Sequence, residues 1–83
     1  MEQHPVASAL SRVVAAEAER RGISIRTLAS QIGIPHVTLA RRLNINSPSP
    51  LTADEIDRIA NAFELKPSDL FLAAEAHAEQ GAA

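Results

Sequence analysis

Eighty-three residues, 46% hydrophobic but only 2% aromatic, with a formal net charge of −2 and no cysteine, make one small domain with a modest core and no room for a large cavity. That composition excludes a disulfide framework and a thiolate metal site. The apolar runs are far short of a membrane span and the N-terminus lacks a basic-then-apolar signal, so a cytoplasmic protein is expected.

Much of the apolar content is alanine, the best helix former, and no stretch alternates as a strand would. An all-α domain over residues 1–83 is expected, with residues 1–4 and about 79–83 frayed. From Pro5 or Val6 to about Arg21, Val6, Leu10, Val13 and Val14 recur in a helical rhythm with Glu17 as the polar edge. Arg20 and Arg21 suit the negative end of that helix, and Gly22 is a natural stop. Arg21 is either a solvated helix end or a phosphate contact. Ile23 anchors the passage into the next helix.

Ser24 to Asn44 reads as two short helices joined by a tight turn. Ser24 is the N-cap, and Leu28, Ala29 and Ile32 form one apolar face. Gly33 breaks the pattern, Ile34 is an apolar peg, and Pro35 suits the first position of the second helix. Leu39 and Leu43 give that helix its inward stripe. Two helices separated by a few residues with a central glycine make a helix-turn-helix.

Asn44-Ile45-Asn46-Ser47 and the prolines after them form a loop, in which Asn44 either caps the helix or meets a phosphate. Asn46 and Ser47 offer further phosphate contacts. A fourth helix starts at a capping box of Thr52 and Glu55, with Leu51 and Ile56 as the hydrophobic staple, and continues through Ile59, Ala60 and Phe63. Leu65 closes the turn, and Pro67 opens a last helix carrying Leu70, Phe71 and Leu72. One helix face cannot bury three consecutive large side chains. Leu70 is spaced to pack with Phe63 and Leu65, leaving Phe71 or Leu72 for a two-fold interface, unless Phe71 folds back onto the first helix.

Charge is unevenly spread. Arg20, Arg21, Arg26, Arg41 and Arg42 lie between Arg20 and Ser47 with no Asp or Glu, while the sequence from Pro48 onward sums to −5. A basic middle on an acidic body is the footprint of one phosphate-facing surface, with modest affinity for random DNA. With Leu39 and Leu43 inward, the opposite face carries Val37, Thr38, Arg41 and Asn44, and His36 sits near the tip. Arg41 can fork onto guanine O6 and N7 or clamp a phosphate. His36 can donate to guanine or phosphate, or simply end the helix, and Val37 can pack on a thymine methyl. Arg26 and Arg42 complete the set of phosphate candidates.

Two patterns carry a resemblance. L-A-x-x-[apolar]-G-[apolar]-x-x-x-x-[apolar], here Leu28 to Leu39, and I-x-x-I-A-x-A-F-x-L-x-P-x-D-L-F, here Ile56 to Phe71, are similar to the lambda-repressor-like (XRE/Cro) family of DNA-binding domains. The resemblance covers Ile23 to about Leu72. It implies a compact five-helix bundle with the helix-turn-helix as helices two and three. It also implies base-reading positions at His36, Val37 and Arg41, with Thr38 close by. Three positions depart from it: Ile25 stands where a phosphate-clamping Gln is usual, Arg42 where an apolar residue is usual, and Leu43 where Glu is frequent. Either the third helix is slightly rotated with Leu43 inward, or Arg42 runs along the core edge to a phosphate.

No catalytic motif is present. His4, His36 and His77 are far apart, there is no phosphate-cradling glycine loop or paired carboxylate, and the acidic group Asp54, Glu55 and Asp57 is explained by the start of a helix. No catalytic residue, metal, cofactor, small-molecule ligand or membrane is therefore expected. The expectation is a sequence-specific regulator of double-stranded DNA, a small phage or bacterial repressor or Cro-like protein. It would occlude its operator as a dimer that is weak without DNA. The alternative is a protein-interaction module on the same fold, an antitoxin or accessory factor, using the acidic half and Phe71-Leu72.

Overall fold

The computed structural model describes residues 5–44 and 51–82, and the side chains of 9–44 and 51–79. Five helices follow in order: α1 Pro5–Arg20, α2 Ile25–Ile32, α3 His36–Arg42, α4 Ala53–Ala62 and α5 Pro67–Ala82, with no strand among the described residues. α1 lies most broadly against α5, while α2 packs against both α3 and α4. The expected all-α, five-helix arrangement is what the chain adopts. Residues 1–4, 45–50 and 83 lie outside the described residues, and with them the expected frayed start and the roles expected of Asn46 and Ser47.

The core is built from small contributions. Leu10, Val14 and Ala18 form one stripe of α1; Leu28, Ala29 and Ile32 that of α2; Leu39 the peg of α3; Ile56, Ile59, Ala60 and Phe63 come from α4, and Leu70 and Ala74 from α5. Among the described residues, five of the fourteen buried apolar ones are alanines. They let helices approach closely, so little volume is needed to fill the centre. Phe63, at 1% exposure, is the largest fully buried side chain among the described residues.

Three helix ends are closed by one device. Gly22, Gly33 and Glu64 take φ of 71°, 77° and 59°, in the left-handed region. The next residue then donates back over the last turn: Ile23 N–H to Ala18 O at 2.9 Å, Ile34 to Ala29 O at 3.1 Å, and Leu65 to Ala60 O at 2.8 Å. Ile23, Ile34 and Leu65 are the half-buried apolar residues that pin these turns to the core. At the first two the sequence supplies glycine. At the third, Glu64 adopts a conformation that L-residues disfavour by about 1–2 kcal/mol.

At the helix starts, Ser24 Oγ accepts from Thr27 N–H at 3.0 Å. Thr52 and Glu55 exchange both bonds of the capping box, at 3.1 and 2.9 Å. Pro35 differs from expectation. With ψ at 141° it is still extended, so it is the N-cap of α3 and His36 is the first helical residue. Its carbonyl accepts the first bond of the helix, from Leu39 N–H at 3.1 Å. At the other end of the chain, α5 continues through Gly81 to Ala82.

Candidate DNA-binding surface

The outward face of α3 follows from which side is held down. Leu39 is fully buried and Leu43, which ends the helix, is half-buried against the core. His36, Val37, Ala40, Arg41 and Asn44 are exposed, and Thr38 is half-buried at the margin. Val37 stands out at 61% exposure, since little in the fold requires a branched apolar side chain there. Val37 and Arg41 are one helical turn apart and share one stripe, while Asn44 lies just beyond the end of the helix.

At Arg42 and Leu43 one part of each account is present, but the Arg42 side chain ends on a carboxylate. Leu43 packs inward, and Arg42 runs along the core edge. The Arg42 Nε–H lies 3.1 and 3.2 Å from the two carboxylate oxygens of Glu55. That carboxylate also accepts the Thr52 N–H. From the opposite side, the buried Ser11 hydroxyl of α1 donates to the Arg42 carbonyl at 3.0 Å. The C-terminal end of α3 is thus tied to α1 by its backbone and to α4 by its side chain. A phosphate role for Arg42 would have to compete with this pair.

A second tie holds α2. Arg58 of α4 donates from Nη1 to the Ile32 carbonyl at 3.0 Å, satisfying an acceptor at the C-terminal end of α2, and its Nε pairs with Asp54 at 3.0 Å. Sequence reasoning missed Ser11, Glu55 and Arg58 as supports of the helix-turn-helix. Asp54 and Arg58 show an i,i+4 spacing in the sequence, but the contacts across helices have no local signature.

The arginines divide into two groups. Arg20 and Arg21 both donate to Glu17, the Arg21 Nε at 2.6 Å. Together they hold the Glu17 carboxyl down at about 2, against an ordinary value of 4.5, and Glu17 in turn raises the Arg20 guanidinium. The Arg21 guanidinium also lies over the Phe63 ring, 4.8 Å from its centroid. Arg21 therefore clasps the end of α1 to the core, alongside any phosphate contact. Arg26 and Arg41 are exposed and make no ion pair among the described residues. Of the five arginines in the basic middle, these two present open guanidinium groups.

No three His, Cys, Asp or Glu among the described residues stand together as a metal site, and no described helix is long and apolar enough to cross a membrane. With this geometry, comparison with protein families is decisive: a family model described as a Cro/C1-type helix-turn-helix DNA-binding domain matches residues 16–73. The chain belongs to that family. The match takes in α2 to α4 with the end of α1 and the start of α5, close to the Ile23–Leu72 span of the sequence resemblance. It supports a DNA-binding regulator in the general sense, with α2 and α3 as its helix-turn-helix. Neither the comparison with curated proteins nor that with solved structures returned a match.

Proposed function

We propose that this chain is a sequence-specific transcriptional regulator, a small phage or bacterial repressor or Cro-like protein, that lays the outward face of α3 in the major groove and occludes its operator. The observation that carries this reading is the exposed stripe of Val37 and Arg41 on the second helix of the helix-turn-helix, with the Arg41 guanidinium unpaired among the described residues. A helix so placed reads base edges with its outward side chains. Arg41 forks onto a guanine, His36 donates near the helix start, and Thr38 lies at the margin. Arg26 and Asn44 meet phosphates on either side, with Asn46 and Ser47 following. Arg21 and Arg42 contribute phosphate attraction weakened by their carboxylate partners.

Operator symmetry calls for two copies with half-sites about 34 Å apart. Leu70 is buried at 2% exposure, while Phe71 and Leu72 are exposed at 41% and 64%. That patch on α5 is the proposed two-fold interface, too small to hold a dimer firmly without DNA.

Selection from a random duplex library, followed by titration of the recovered duplex at two salt concentrations, tests the reading. An enriched, two-fold-related sequence bound with a salt slope supports it. Absence of enrichment and of binding at low salt would instead favour a protein partner for the acidic half and the Phe71-Leu72 patch. Phe71→Glu and Leu72→Glu should load the two-fold site with reduced cooperativity. Unchanged cooperativity in both removes α5 as the interface.

A further inference from the structure

We infer that Val37 and Ala40 together form a shelf that accepts thymine C5-methyl groups, so that the half-site contains thymine one or two base pairs from the guanine read by Arg41; this rests on the proposed docking of α3 in the major groove. Val37 is 61% exposed and Ala40 is also exposed. Three residues apart on one helix, their β-carbons are neighbours at about 5–6 Å. Arg41 adjoins Ala40 and follows Val37 by four residues, which places its charged end at the border of this shelf.

The fold gives no reason for the valine. An exposed β-branched residue is less favourable in a helix than alanine, and its methyls stay in water unless a ligand covers them. In the major groove the C5-methyl of thymine is the one apolar feature that a base pair presents. The short side chain of Ala40 lets the base edge approach the helix backbone, which a longer residue would prevent. One helical turn rises about 5.4 Å and one base pair about 3.4 Å. Side chains a turn apart therefore meet bases one or two steps apart.

The test uses the duplex recovered by selection, with each half-site thymine replaced singly by deoxyuridine, which removes only the methyl. Burying one methyl group corresponds to about a fourfold affinity change. At one or two thymines the parent protein should bind the deoxyuridine duplex about threefold to fivefold more weakly. Val37→Ala should bind both forms within about twofold there. That variant replaces an exposed helical valine by a better helix former, so its folding is not at risk. Ala40→Gln, which sets a polar amide across the shelf, should also abolish the discrimination. Equal binding of thymine and deoxyuridine at every position, full discrimination retained by Val37→Ala, or enriched half-sites without thymine overturn the shelf while leaving the docking of α3 intact. Failure to enrich any duplex overturns both.

Discussion

Replacing Arg42 by Met separates a strut from a phosphate contact. The Arg42 Nε–H is shared between the Glu55 oxygens at 3.1 and 3.2 Å, so one donor serves two acceptors rather than forming a two-bond fork. The side chains are 22% and 11% exposed, which leaves little water to replace the bond. A hydrogen bond to a charged group is worth about 1.5–3 kcal/mol, and a solvated ion pair about 0–1 kcal/mol. For this half-buried case the expected loss is about 1.5–2 kcal/mol. Methionine covers the same core edge, and Glu55 keeps the Thr52 N–H at 2.9 Å, so neither a cavity nor a lost cap inflates the figure. Urea unfolding measures the loss. Duplex titration at several salt concentrations measures the second quantity: because Glu55 already neutralises the charge, the salt slope should change by well under one unit. A loss below about 0.5 kcal/mol together with a slope reduced by about one would refute the reasoning and make Arg42 a phosphate contact.

Ala29→Leu should overpack the crossing of α2 on its neighbours, where Ala29 is 1% exposed, and lower stability by about 1–3 kcal/mol in urea. Unchanged unfolding would mean that the packing around α2 is not as described. Glu64→Gly relieves the positive φ at the end of α4, offset in part by the freedom glycine adds to the unfolded chain, and should raise stability by up to about 1 kcal/mol. A destabilised variant would show that the turn depends on the Glu64 side chain. Acid titration of stability tests the Glu17 clasp. Because the folded carboxyl is lowered from 4.5 to about 2, its contribution is present above pH 4.5 and is lost as pH falls towards 2. Being partly solvated, it should amount to about 0.5–1 kcal/mol. The stability difference between the parent and Glu17→Gln should therefore close across that window, and a constant difference would refute it.

What the sequence revealed was local. Ser24, Gly33 and the Thr52–Glu55 capping box each carry their own signature within four residues, and apolar spacing marked Leu28, Ile32, Leu39, Ile56, Ile59 and Phe63 as core. The exposed placement of Val37 and Arg41 followed from the burial of Leu39. Tertiary pairings were not legible. Nothing in the order of residues brings Ser11 to Arg42, Arg42 to Glu55, or Arg58 to Ile32, because those distances are set by how the helices pack. The charge argument failed for two different reasons. Arg20 and Arg21 turn back to Glu17, three and four residues earlier and just outside the acid-free stretch, a pairing that local spacing could have shown. Arg42, by contrast, reaches Glu55 only through the packing of the helices. Glu64 was missed for a different reason: sequence rules expect glycine or asparagine in that conformation, and the surrounding fold imposes it on glutamate.

Amide chemical-shift mapping of the protein during titration with the selected duplex addresses the central claim directly. The account predicts the largest changes at Arg26, His36, Val37, Ala40, Arg41 and Asn44, with little change at Asp54, Asp57 or along the exposed side of α4. Changes centred on the acidic half of the chain, with α3 unperturbed, would contradict it.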